Sequence, residues 1–188
     1  GAVLVEIKTM DSISDIGKNE FAVLLSELKH GLNAYLADTP KTVKTRSLSE
    51  LIAFNREHAT AEMPYFGQDL FETAQQSSDL QSADYQRALA NSGKAARTRL
   101  DGLLAQHKVA ALIAPSGSPA WTTDLLNGDH YLGSASTLPA VAGYPHLTVP
   151  MGSVQGMPVG ISIITGQWQD SKALQIGHAI EQATKARQ

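Results

Sequence analysis

The sequence predicts an α/β fold: a mixed β-sheet layered with α-helices, with a helical N-terminal half. Three observations carry this. Apolar residues recur at helical spacing through the first 108 positions. From Val109 to Gln169 there is no Lys, Arg or Glu, and the charged residues are Asp124 and Asp129 alone; this stretch also holds six of the eight prolines and eight of the 15 glycines. A segment with so few charges lies inside a structure, and its short apolar runs set it apart from a Gly/Pro linker. Helical periodicity then returns after Asp170. Residues 1–108 are thus expected to be mainly helical, and 109–188 to hold strands, ordered loops and a final helix.

Ala2–Ile7 reads as a strand, with Val3, Val5 and Ile7 on one face. Phe21, Leu24, Leu25, Leu28, Leu32, Tyr35 and Leu36 follow i, i+3, i+4, i+7 spacing and form one stripe. Asn19 is the predicted N-cap, and Asp38-Thr39-Pro40 the stop. Ser47-x-x-Glu50 is a capping-box pattern ahead of Leu51, Ile52 and Phe54. A short helix is predicted over Gln68–Ala74. A long one starts near Ser82, carries Tyr85, Leu89, Ala96, Leu100, Leu103 and Leu104, and is weakened at Gly93 by about 1 kcal/mol relative to Ala.

Val109–Ala114, stopped by Pro115, reads as a strand buried on both faces, and Leu147-Thr148-Val149 as a second. Val159, Ile161 and Ile163 alternate along a third, next to the second across the turn residues Gln155-Gly156-Met157-Pro158. The last helix begins near Asp170, a good N-cap, and carries Leu174, Ile176, Ile180 and Ala183.

Composition excludes several classes. The chain has 188 residues, 43% apolar, with a net charge of −3 and no cysteine. Disulfides, thiolate nucleophiles and Cys-based metal sites are excluded. The charge balance gives no reason to expect nucleic acid or a membrane surface as partner, and no apolar run reaches the ~20 residues of a membrane span. The first residues do not form a signal peptide. A leading Gly in place of Met suggests a cut chain, whose parent's export signal would be missing; the compartment stays open between cytoplasm and periplasm.

The chemistry-bearing motifs are sparse. Gly-x-Ser-x-Gly, Gly-x-Gly-x-x-Gly and the Walker A pattern are absent. Gly152, Gly156 and Gly160 flank a turn between strands and do not open a helix. The histidines His30, His58, His107, His130, His146 and His178 form no His-x-x-x-His pair. Asp129-His130 with Asp124 reads as the turn Asn127-Gly128-Asp129 with a neighbouring His; two ligands without a third are a weak metal or charge-relay signal. No metal and no cofactor are expected. Ser116, Ser118, Ser134 and Ser136 are the loop serines, each a turn former unless a base lies near. Trp121, in a loop of small residues, is either a ligand-facing platform or an anchor pinning the loop.

Ser136–Pro150, with Ala142-Gly143-Tyr144-Pro145 leading into Val149-Pro150, and Gly156-Met157-Pro158-Val159-Gly160 running into a strand, together resemble the C-terminal signature of the amidase signature family. Glu50-Leu51-Ile52-Ala53-Phe54-Asn55, Met63–Asp69, Trp121-x-x-Asp124, Gly128-Asp129-His130 and the closing Ala179–Gln182 resemble its peptide-amidase-like branch. The resemblance implies the C-terminal part of the amidase signature fold and hydrolysis of a carboxamide C–N bond to carboxylate and ammonia. The family's catalysis uses two serines and a lysine in a Gly/Ser-rich region that has no counterpart here. None of the lysines adjoins such a loop, so no catalytic residue is assigned.

The implied partner is a small-molecule or peptide amide, with Ser116, Ser118, Trp121, Asp124 and Asp129 as substrate-binding candidates. A non-catalytic binding or scaffold protein derived from the same fold is the alternative. Self-association is expected, because uncovered strand edges and apolar faces invite it.

Overall fold

The computed structural model describes residues 1–8 and 12–186. Among them are eight helices, α1 (Ser14–Asp38), α2 (Leu48–Glu57), α3 (Ala59–Glu62), α4 (Asp69–Gln75), α5 (Ala83–Leu89), α6 (Ala95–His107), α7 (Thr137–Ala142) and α8 (Asp170–Thr184), and three strands, β1 (Leu112–Pro115), β2 (His146–Val154) and β3 (Met157–Ile164). A π turn over Ala90–Lys94 links α5 to α6 and contains Gly93; π geometry is rare and occurs mostly as such single widened turns within a helix. The chain divides into two compact units: Gly1–Ile16 with Ser92–Gln188, and Gly17–Asn91.

In the sheet-bearing unit the strand order is β1-β3-β2, antiparallel throughout. β2 and β3 form a hairpin whose two loop residues, Gln155 (φ 50°) and Gly156 (φ 81°), both lie in the left-handed region. That is the turn whose twist matches the strands it joins. A register shift between Pro150 and Gly152 breaks the ladder once. α8 packs on the face carrying Leu147, Val149 and Ile163. Gly177 makes the close approach: a Cβ there would meet Leu147 Cδ2 at 2.4 Å. The opposite face closes on a core of Ile16, Ala96, Leu100, Leu138, Ala142, Tyr144 and Ile164. Tyr144 Oη reaches Asp101 at 2.9 Å, and Arg97 Nε donates to Ala142 O at 2.9 Å, so the two largest polar groups at this core's edge are satisfied.

The helical unit has two smaller cores: Val23, Tyr85 and Ala88, and Leu48, Ile52 and Ala74 with Leu25, Leu32 and Phe71 packed against them. The Ser47 side chain accepts the Glu50 N–H. The reciprocal bond of this capping box goes from Arg46 N–H, one residue early, to Glu50. Asn33 Oδ1 takes the Leu48 N–H at 2.8 Å. The Arg46 guanidinium reaches Ala37 O in the last turn of α1 and Thr39 O just beyond it, the latter at 2.7 Å, where a cation complements the helix dipole. Ser82 caps α5 through the Tyr85 N–H.

Several expectations are corrected. Residues 2–7 form no strand: Val3 and Leu4 are 88% and 77% exposed, because a strand is stable only with a partner. α1 begins at Ser14, five residues before Asn19. Its predicted stripe is split: Leu25, Leu32 and Leu36 are packed, whereas Phe21, Leu24, Leu28 and Tyr35 are exposed. β1 is shorter than 109–114 and is an edge strand in the described sheet, with Ile113 45% exposed. Gln169, not Asp170, is the N-cap of α8. In that helix Ala173 and Gly177 are the buried residues, and Leu174 faces outward at 60% exposure. α3 has no counterpart in the sequence reading.

Candidate active-site wall at the end of strand β1

The candidate residues cluster where β1 runs out. Pro115 ends the strand, and the chain continues through Ser116, Gly117 and Ser118 into a loop that returns at Ser134, which bridges to Gly117. Ser116 is fixed by both backbone groups: its N–H donates to Gly160 O at 2.8 Å, and its C=O accepts from Ala135 N–H at 3.2 Å. A cleft of about 670 Å³ opens between this segment and the core, lined mostly by apolar side chains, among them Ile13, Leu100, Leu112, Leu138 and Ile164, and by Ser118. The Ser118 hydroxyl oxygen is buried there and has no hydrogen-bond partner among the described residues. An unpaired buried hydroxyl costs about 1–3 kcal/mol.

The loop beyond is organised around its two acids. Asp124 Oδ1 accepts from Leu126 N–H and Asn127 N–H, each at 2.9 Å, and Oδ2 accepts from Asn127 Nδ2 at 2.9 Å. The Asn127 backbone N–H, then its side-chain amide, then the Leu126 N–H hold this carboxyl below the usual carboxylate range. Asp124 is therefore committed to its own turn. Asp129 Oδ1 accepts from the Trp121 indole N–H at 3.1 Å. Tyr131 meets the indole edge-on, centroids 6.5 Å apart, a favourable aromatic geometry. Trp121 is thus held from two sides while 38% of it stays exposed. Ser134 and Ser136 bond each other at 2.7 Å, and Tyr131 Oη donates to Ser134 at 3.1 Å.

Ser116 stands apart from the other loop serines. Ser162, wholly buried on β3, donates to Ser116 Oγ at 2.9 Å. His146 Nε2 lies 2.6 Å from Ser162 Oγ, and Thr148 Oγ1 lies 3.2 Å from Ser116 Oγ. The register explains the cluster: Thr148 and Ala114 both pair with Ser162, and directly opposed residues share a sheet face. The His146 ring is partly open to solvent, but its desolvated side pulls its pKa below the ordinary imidazole value. Of these residues only His146 and Ser116 stood out as candidate chemical groups in the sequence; the alternation of His146 and Thr148 along β2 is the signal that puts them on one face. Among the described residues no cluster of three or more His, Asp or Glu could hold a metal, and no helix is long and apolar enough to cross a membrane.

Comparison with known proteins identifies the family. The amidase family model matches residues 1–174. A probable amidase of Arabidopsis thaliana is 31% identical over 194 residues, covering 100% of this chain and 34% of the relative. A peptide amidase crystallised with the competitive inhibitor chymostatin superposes with a TM-score of 0.86 at 37% identity, over 92% of this chain and 35% of that one. The native peptide amidase of Stenotrophomonas maltophilia gives 0.84 at 36%, over 93% and 35%. The chain spans about a third of the length of these relatives. With a family model covering most of its length and the same fold in two peptide amidase structures, this chain belongs to the amidase family.

Proposed function

We propose that this chain is the substrate-shaping part of an enzyme that hydrolyses a carboxamide, R–CO–NH2 + H2O giving R–COO⁻ + NH4⁺, on small-molecule or peptide amides. The observation that carries this reading is the apolar cleft at the end of β1 with an unpartnered, buried Ser118 hydroxyl in its wall. Such a cavity accepts an apolar substituent and offers one polar contact to orient it, the usual composition of a small-molecule site. Peptide-like inhibition of a structural relative supports the same class of ligand.

In this reading Trp121 supplies an apolar wall, and Asp129 positions it through the indole N–H. Asp124 acts by shaping the loop. The nucleophilic serine, its partner serine and the lysine base belong to a part of such enzymes that this chain does not span. A lysine serves as base only where desolvation or a neighbouring charge lowers its pKa.

The test is binding and turnover on the purified chain. N-acetyl-leucinamide binds, Ser118→Ala weakens that binding about two- to tenfold, the equivalent of one hydrogen bond, and no ammonia is released. Ammonia release abolished by mutating a Ser or Lys of this chain would overturn the placement of the machinery elsewhere. Absence of binding would favour a scaffold protein built on the amidase fold.

A further inference from the structure

The register of the sheet fixes where the main chain of β1 points. Thr165 N–H donates to Pro145 O, and Ser116 N–H to Gly160 O. In an antiparallel ladder, alternate residues of a strand bond to opposite sides. Carried along the two registers, these bonds turn the main-chain groups of Ser162 and Ile164 toward Ala114 and Leu112. Those of Ile113 and Pro115 are directed away from β3. Among the described residues no strand lies on that side of β1. The open edge therefore offers one donor, the Ile113 N–H, and two acceptors, the Ile113 and Pro115 carbonyls.

The cleft of about 670 Å³ follows this edge: Leu112, Ile113, Ala114 and Pro115 all line it. Successive side chains of a strand point to opposite faces, so a cavity that meets four in a row runs along the edge and not over one face. Just past the strand the chain already lays main chain beside main chain in this cleft. Ser134 bridges Gly117 in antiparallel fashion, and Ala135 N–H donates to Ser116 O. None of the lining residues is charged, and Val109–Trp121 holds no charge, so the charged side chains that commonly blunt an open edge are missing here.

We propose that the cleft takes its amide as an extended peptide, bound as an added strand parallel to β1 with its C-terminal carboxamide toward Ser118. The Ile113 N–H donates to one peptide carbonyl, and the Ile113 and Pro115 carbonyls accept two peptide N–H groups two residues apart. In strand addition the main-chain bonds give affinity and the side-chain pockets give specificity. Alternate side chains of the peptide enter the apolar lining formed by Leu100, Leu138 and Ile164. The uncharged lining matches a neutral carboxamide end; a free carboxylate would be buried without a countercharge. The Ser118 hydroxyl, unpartnered among the described residues, meets that end. Five positions separate Ile113 from Ser118, about 17 Å of extended chain, so a peptide of about four residues spans the cleft and a single-residue amide fills one end of it. The proposal rests on the amide-binding reading above and adds to it the length, conformation and end group of the ligand.

The experiment compares binding of N-acetyl-Ala-Leu-Ala-Leu-amide and N-acetyl-leucinamide to the chain, with amide exchange as a second readout. The longer probe is expected to bind at least about tenfold more tightly, from three main-chain bonds at roughly two- to tenfold each. Methylating its N–H groups one at a time weakens it about two- to tenfold at two alternate positions and spares the position between them. The Ile113 N–H gains protection from exchange when this probe binds. Ile113→Pro removes the donor at a site where proline is tolerated, because that N–H makes no ladder bond, and Ile113→Val, which keeps the donor, binds the peptide more tightly. If the proline variant does not fold, the methylation series decides alone. Equal affinity for the two probes, or a methylation series without alternation, would overturn the strand mode and leave the amide reading in place. A free-acid peptide that binds as tightly as the carboxamide would overturn the assigned end group. Protection of Ile113 without peptide, rising with protein concentration, would put a second copy on the edge and overturn the proposal. Failure of both probes to bind would overturn the amide reading, and the strand mode with it.

Discussion

The sheet-bearing unit and the helical unit use the same kind of apolar patterning to different ends. In the first, α8 packs on one face of a three-stranded sheet and a core of seven buried residues forms on the other, and the buried polar residues Ser162 and Thr165 are hydrogen-bonded. In the second, small cores of three buried residues each hold the helices. Four large residues of α1, namely Phe21, Leu24, Leu28 and Tyr35, stay 37–68% exposed. Periodicity therefore locates a helix well and says less about how much of its stripe is covered. Close approach does more to define the sheet unit: Gly177 admits the side chains of β2, and Gly160 admits two hydroxyl-bearing ones.

The largest effect that would break this contrast is at Leu100, 1% exposed in the sheet unit's core. Leu100→Ala is expected to cost about 2–5 kcal/mol through lost burial and the cavity left behind. Leu24→Ala on the exposed stripe, 54% open, is expected to stay within about 0.5 kcal/mol. Urea unfolding of the two variants checks this, and equal losses would mean that the α1 stripe is covered after all.

Next in size is Gly160→Ala. The added Cβ clashes with the Thr148 methyl, an overpacking expected to cost about 1–3 kcal/mol. Thr148→Ser removes that methyl and keeps the hydroxyl, so the double variant should recover most of the loss. Thermal unfolding of the single and double variants measures the coupling, and strict additivity would locate the strain elsewhere.

What the sequence made legible follows from the range of the forces involved. Ser47 and Ser82 were readable as caps because a cap is settled within three residues. The turn between β2 and β3 was readable for the same reason, although two of its four predicted residues, Met157 and Pro158, belong to β3. Residues 2–7 were misread because alternation states a preference, while a strand needs a partner that no local pattern supplies. Val109–Ala114 was misread as doubly buried because a short apolar run looks alike in a central strand and at an edge. In the candidate site, Ser116 and Trp121 were visible as residue types. The link from Ser116 to Ser162, 46 positions away, and on to His146, 16 positions away, exists only through strand register, which spacing does not encode. The commitments of Asp124 to its turn and Asp129 to the indole likewise depend on how one loop folds back on itself.

A smaller effect sharpens the comparison from the helical side. Ser47→Ala removes the acceptor for the Glu50 N–H and is expected to cost about 0.5–2 kcal/mol. Asn33 Oδ1 still holds the Leu48 N–H, so the loss should fall at the low end. Amide exchange reads it directly: protection should drop in the first turn of α2 and hold in β2 and β3. A uniform drop would show that this cap supports more than its own helix.

The smallest expected effect is the pH response of the sheet unit, and its sign is fixed by His146. Burial of one side of the ring disfavours the charged form, so the folded-state pKa lies below the unfolded value of about 6.5. The unfolded chain then binds the proton more readily than the folded one as pH falls. The contribution is fully present above the unfolded pKa and is lost as pH drops from there through the folded pKa. Because the ring is partly open to solvent, the loss is modest, and it should appear as a shallow fall in the unfolding midpoint below about pH 6.5. His146→Gln carries no titrating proton and can still hydrogen-bond Ser162; its profile should be flatter over the same window. A wild-type midpoint that rises on acidification through this range, after subtracting the His146→Gln profile, would mean that the folded ring is stabilised as the imidazolium. That would replace burial with an unseen acidic partner as the dominant influence on His146.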